Sequence, residues 1–167
     1  MIFSSEMWTL AEAAEAAGLS VATVRSWVQR GHINLDDDHL RAFTTNPHVL
    51  SLAAVWRLAV TARLVSILSI GPDRGWLLAG ALATPAGDAG REPNELFAAG
   101  LSLLIVSSDL MTADVINVWP FTPFADIARA GTPVALIDLN QITEPLLPAL
   151  RQIRGRRRSR APVAGER

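Results

Sequence analysis

Thr9-Leu10-Ala11-Glu12-Ala13-Ala14-Glu15-Ala16-Ala17-Gly18-Leu19-Ser20-Val21-Ala22-Thr23-Val24-Arg25-Ser26-Trp27-Val28-Gln29-Arg30-Gly31 contains two helix starts, two helix stops and one tight turn. Thr9 and Glu12 have the spacing of a capping box, in which the hydroxyl accepts from the amide three residues on and the carboxylate reaches back. Leu10, Ala13, Ala14 and Ala17 then recur at helical intervals and form one apolar face. Gly18 supplies a left-handed stop, and Ser20 is a ready N-cap two residues later. In the second helix Val21, Val24 and Val28 line one face with Trp27 beside them, and Gly31 closes it. An alanine-rich first helix lets a second cross it at close range, which predicts a helix-turn-helix. The opposite face of the second helix carries Ala22, Thr23, Arg25, Ser26, Gln29 and Arg30. No acid lies between Glu15 and Asp36, a clearing that suits approach to phosphates.

Beyond this unit the pattern changes several times. Ile33-Asn34-Leu35, an Asp36-Asp37-Asp38 turn and Leu40-Arg41-Ala42-Phe43 predict a small hairpin or wing. Ser51 caps an expected helix to about Leu68 that is apolar nearly all round, so it is either central or paired with another chain. Gly71-Pro72 reads as a turn, followed by a helix over Arg74 to Ala83 with Asp73 as its cap. The Gly-, Pro- and Ala-rich run from Pro85 to Pro93 marks residues 85–95 as a linker. Leu101–Val106, Val115–Trp119 and Val134–Leu139 are strand candidates, with a helix over Pro123–Ala130 between the last two. Strand, helix, strand predicts a small α/β unit. A last amphipathic helix is expected over Thr143–Ile153, with Pro145 tolerated in its first turn. The fold class is therefore α+β: a mostly helical N-terminal domain (1–84), the linker, a small α/β domain (96–153) and an Arg-rich disordered tail (154–167).

The stretches Met7-Trp8-Thr9-Leu10-Ala11-Glu12-Ala13-Ala14, Gly18-Leu19-Ser20-Val21-Ala22-Thr23-Val24-Arg25-Ser26-Trp27 and Gly31-His32-Ile33 together resemble the MerR-type winged helix-turn-helix. The likeness is greatest to the short forms found in phage excisionases and related regulators. Arg41-Ala42-Phe43-Thr44 matches the family's Arg-x-aromatic-Ser/Thr at the end of the wing. The resemblance covers residues 7–44, with a looser echo to about 84. It implies that Thr23, Arg25 and Ser26 enter the major groove of duplex DNA, with Gln29 and Arg30 further along the same face and Arg41 gripping the backbone. Arginine reads guanine bidentately or holds phosphate, and short hydroxyls are adaptable donors. The chain also departs from the family. Three aspartates occupy the wing tip, Thr45 to Leu50 looks like an insertion, and no heptad series for a dimerisation coiled coil is visible.

Composition narrows the remaining classes. There is no cysteine among 167 residues, which removes disulfides, thiolate metal sites and cysteine nucleophiles. The three histidines all fall between positions 32 and 48, and neither a metal nor another cofactor is expected. Net charge is −1, but residues 96–150 contain one Arg and five acids while residues 151–167 contain seven Arg and one Glu. Arg154, Arg156, Arg157, Arg158 and Arg160 are thus expected to make non-specific phosphate contacts, or to solubilise the end of the chain, or to meet the acidic domain of another copy. Leu104-Ile105-Val106-Ser107-Ser108 invites comparison with serine recombinases, but Arg129 alone cannot bind a scissile phosphate there, so no enzyme is expected. Asp109 and Asp138 each follow a strand and read as turn formers or caps rather than a Mg²⁺ site. Trp119, Phe121 and Phe124 form either a docking surface or an ordinary core. The opening residues carry no export signal and no apolar run is long enough to span a membrane, so a cytoplasmic protein is expected. The expected role is a bacterial or phage transcriptional regulator acting as a dimer, with a protein partner possible through the C-terminal domain. The alternatives are an excisionase-like DNA-bending factor and a protein-interaction adaptor that binds no DNA.

Overall fold

The computed structural model describes residues 7–35, 49–84, 91–123, Ile127 and 133–160. The described residues give a mixed α and β structure, with five α-helices of defined extent and two small antiparallel sheets. β1 (Trp8–Thr9) pairs with β2 (Val49–Leu50), with Trp8 opposite Leu50, and so ties the start of the first helix to the start of the third. α1 (Leu10–Ala16) begins with the full capping box, the Thr9 backbone N–H donating to Glu12 at 2.8 Å and the Glu12 N–H to the Thr9 hydroxyl at 3.3 Å. Ala13 and Ala14 are fully buried, so the close crossing expected from small residues is realised. Gly18 turns the chain with φ of +71°, a conformation that costs a side-chain-bearing residue free energy. α2 (Val21–Gln29) starts on Ser20, whose Oγ accepts from the Thr23 amide at 3.0 Å.

α3 (Leu52–Leu68) starts on Ser51 and is buried on most of its circumference, because α1, α4 and the C-terminal helix all pack on it. α4 (Pro72–Ala79) takes Gly71, not Asp73, as its N-cap: Pro72 sits at the first helical position, where its missing N–H costs nothing. One turn of 3-10 helix, Gly80–Ala83, completes it. Gly75 allows the α3–α4 approach, since a Cβ there would lie 3.1 Å from a Val65 methyl. Arg57 ties the same pair, donating from Nε and Nη2 to the Trp76 carbonyl at 3.1 and 2.9 Å with its guanidinium over the indole.

The second sheet has the order β4–β3–β5, with β3 (Leu101–Ser107) between β4 (Ala113–Val118) and β5 (Pro133–Asp138). Every pairing is antiparallel: β3 and β4 form a hairpin and β5 runs opposite to β3 on its other edge, so β4 and β5 run parallel to each other with β3 between them. Local hydrophobicity identified the strands correctly but carries no information on their direction. Leu104 stands between Val115 and Ile137, and all three join one buried cluster with Val24, Leu58 and Ile153. The buried side chains of both halves of the chain therefore form one continuous core.

α5 (Leu139–Arg160) corrects two further expectations. It starts four residues before Thr143, so Pro145 and Pro148 lie inside the helix rather than in its first turn. It also continues past Ile153 through Arg160, where a disordered tail was expected. Leu139, Leu146, Leu150 and Ile153 are buried along one stripe. Arg91, expected in a linker, is 4% exposed and donates to the carbonyls of Leu82 and Glu95 at 2.9 and 3.2 Å. Its guanidinium thereby satisfies carbonyl groups that the end of the 3-10 turn leaves open. Burial holds the Arg91 guanidinium below its ordinary pKa, with Asp114 pulling in the other direction. Most of the expected wing, most of the helix expected over Pro123–Ala130 and residues 85–90 lie outside the described residues.

Candidate functional site

α2 divides into two unlike sides. Val24 is fully buried in the core on the side of α2 that packs on α1, and Trp27 packs beside it on the same core. Val28, expected to share that buried face, is 37% exposed, because the apolar contact ends with the last turn of the helix. Opposite Val24 stand Arg25, Gln29 and Arg30, all exposed, with Thr23 and Ser26 half-buried at the margin. Thr23 and Ser20 share a hydroxyl–hydroxyl hydrogen bond of 2.7 Å, which orients the N-terminus of the helix. Arg25 and Arg30 make no hydrogen bond or ion pair with any described residue. Thr23, Ser26 and Arg30 also border an open hollow of about 440 Å³, with Trp27, His32 and Pro72 on its other margins. Five of the six expected groove-reading and backbone-gripping residues thus fall on one surface, and Arg41 lies outside the described residues.

The arginines at the end of α5 occupy different surroundings. Arg157 forks both oxygens of the Glu12 carboxylate, donates to the Met7 carbonyl at 2.9 Å and lies 5.3 Å from the centre of the Trp8 ring. Arg156 pairs with Glu15. The two acids of α1 are therefore each bound by an arginine more than 140 positions away in sequence. Burial pushes the Glu12 carboxyl up, but the hydrogen bonds from Arg157 and Thr9 outweigh it, and the group sits below its ordinary 4.5. Arg158 is exposed, Arg154 is half-buried, and the side chain of Arg160 lies outside the described part of the structure. Sequence reasoning grouped these arginines as one basic tail. The signal it lacked is the spacing of Glu12 and Glu15 on α1, one turn apart, facing Arg156 and Arg157.

The remaining candidates are engaged locally. Asp109 accepts from the Ser107 hydroxyl and from the Met111 amide, the latter at 2.8 Å, and closes the β3–β4 turn. The Ser107 hydroxyl bond, then the Met111 bond, holds its carboxyl below the ordinary value. Asp138 accepts from the Asn140 amide at 2.9 Å at the start of α5. Both carboxylates serve as turn former and helix cap. Among the described residues no group of three His, Cys, Asp or Glu side chains could hold a metal ion. No described helix is long and apolar enough to cross a membrane. Trp119 and Phe121 are exposed by 52% and 94%, so on the described side they are surface rather than core. No protein-family model matches the chain, and no curated protein resembles it in sequence.

Proposed function

We propose that this chain binds duplex DNA sequence-specifically, as a MerR-like bacterial or phage transcriptional regulator of the cytoplasm that presents α2 to the major groove. The observation that supports this reading best is the polarity of α2. Val24 fixes the helix to the core, while Arg25, Gln29 and Arg30 project together with no partner among the described residues for either guanidinium. Thr23 and Ser26 at the margin supply short donors to base edges or phosphates. In this reading α1 and α2 are the helix-turn-helix, and the C-terminal sheet and α5 brace it. A single nine-residue helix reads too few base pairs for useful selectivity, so the chain acts as a homodimer on two half-sites.

The test is selection from random duplex DNA with the full chain and with Arg25→Ala, each titrated with salt. The expected outcome is an enriched motif with two half-sites, from which Arg25→Ala loses selectivity at one base position at a cost of about 1–3 kcal/mol. Enrichment of no motif by the full chain overturns the reading and leaves the adaptor alternative. A large bend in the bound duplex, measured on the selected site, assigns the excisionase-like role instead of regulation.

A further inference from the structure

The α1–α2 turn, the middle of α3 and the first half of α5 border an open hollow of about 690 Å³. This lies within the roughly 300–1,000 Å³ of small-molecule sites. Its space comes from side chains that are missing: Ala16, Ala17 and Gly18 on one wall face Ala59 and Ala62 on another. Leu19, Ile142 and Leu146 make the rest of the lining apolar.

Three polar side chains break that lining, Arg63 and Ser66 from α3 and Gln141 from α5. Arg63 enters from α3, and it makes no hydrogen bond or ion pair with any described residue. Most other described arginines in the body of the fold are tied down, Arg57 to the Trp76 carbonyl, Arg74 to the Leu110 carbonyl and Arg91 to a set of carbonyls. Pro145, on the same wall as Gln141, sits inside α5 and has no N–H. The Gln141 carbonyl therefore lacks its helical donor, and both residues line the hollow. A cation that no described residue engages, with the Ser66 hydroxyl three residues on along α3 and mostly small apolar walls, suits a single negative charge carried on an apolar body, while the Gln141 carbonyl, an acceptor, contributes nothing to holding an anion. A phosphate monoester or a dianion would need several donors, and only one guanidinium is present.

We propose that this hollow binds a small monocarboxylate with an apolar body, its carboxylate on Arg63 and its body against the alanine walls. The inference is independent of DNA binding. 4-Phenylbutyrate serves as the probe and its neutral isostere 4-phenylbutyramide as the control, both titrated calorimetrically into the full chain. The carboxylate is expected to saturate one site with a dissociation constant below about 1 mM, at least about tenfold tighter than the amide. Arg63→Met keeps the apolar stem and is expected to erase the difference between the two ligands. Ser66→Phe, at the exposed rim of the same hollow, is expected to abolish binding of both. Both positions are solvent-exposed, and circular-dichroism melting checks that each variant folds. Equal affinity for acid and amide, failure to saturate, or binding unchanged by either substitution overturns the proposal.

Discussion

Two sets of arginines sit at the two ends of the helical half of this molecule, and they differ in what already holds them. Arg25 and Arg30 project from α2 without a described partner, whereas Arg156 and Arg157 at the end of α5 are locked onto Glu15 and Glu12 of α1. On charge alone the second set looks like the stronger nucleic-acid binder, since residues 151–160 contain six Arg and no acid. Geometry reverses part of that ranking. An arginine already forked on a carboxylate must give up those bonds before it can hold a phosphate, so it adds less to affinity than its formal charge suggests. The pairing has another consequence for the same surface. By covering the only two acids between Met7 and Leu35, Arg156 and Arg157 remove the negative charge that α1 would otherwise present beside α2.

The contrast is broken most directly from the α2 side. Arg25→Ala is expected to lose about 1–3 kcal/mol of specific DNA affinity while leaving the melting temperature unchanged, because the side chain is exposed and has no partner among the described residues. A loss of stability together with affinity would show that Arg25 braces the fold instead of reading DNA. From the α5 side the opposite pattern is expected. Arg157→Met removes the Glu12 fork and the contact over Trp8, at a cost of about 1–2 kcal/mol in stability. For a chain of this length that lowers Tm by about 2–4 °C per kcal/mol. Differential scanning calorimetry at neutral pH reads the change, and an unaltered Tm would mean that the pair contributes nothing in solution.

A finer version compares neighbours on α5. Arg158 is exposed next to the engaged Arg157. If DNA lies along this helix end, Arg158→Ala is expected to reduce the slope of log K against log salt by about 0.9, the release of one counterion. Arg157→Met is expected to reduce it by clearly less. Equal slopes for the two variants would show that the Glu12 fork opens freely when DNA arrives.

The difference between the two sets also marks where sequence reasoning succeeds. The capping box at Thr9, the caps at Ser20 and Ser51 and the stop at Gly18 were legible, because each interaction is completed within four residues. The exposed face of α2 was legible for the same reason, helical spacing being a local property. The extension of α5 was not. Gly155 and a run of like charges favour disorder there, and what stabilises the helix end is Glu12 and Glu15 at the far end of the chain. Arg91 was read as linker because its partners are backbone carbonyls, which leave no trace in residue identity. The direction of β5 and the burial of Leu104 beside Ile137 likewise depend on β3–β5 pairing between residues 26 to 35 positions apart, and hydrophobic pattern alone does not encode it.

The smallest expected effect is a dependence on pH, and it isolates the Glu12–Arg157 fork from everything else. The folded state holds the Glu12 carboxyl below 4.5 despite the upward push of burial, chiefly through the hydrogen bonds from Arg157 and Thr9. An acid depressed by folding binds its proton less readily in the native state than in the unfolded one. Its contribution is therefore complete above about pH 4.5 and fades as pH falls through the lower native value. Asp109, also depressed, weakens the wild type in the same acidic range, so the fall in Tm alone cannot be assigned to Glu12. Arg157→Met shares Asp109 but lacks the fork, so subtracting its Tm from that of the wild type cancels the common part. The gap between the two proteins is expected to be widest near neutral pH and to narrow as pH falls from about 5 to about 3. In a Glu12→Gln background, where nothing at position 12 titrates, the same subtraction should give a smaller gap that stays flat with pH. A gap that narrows equally in both backgrounds would place the titrating group elsewhere and leave Arg157 acting on Trp8 and the Met7 carbonyl alone.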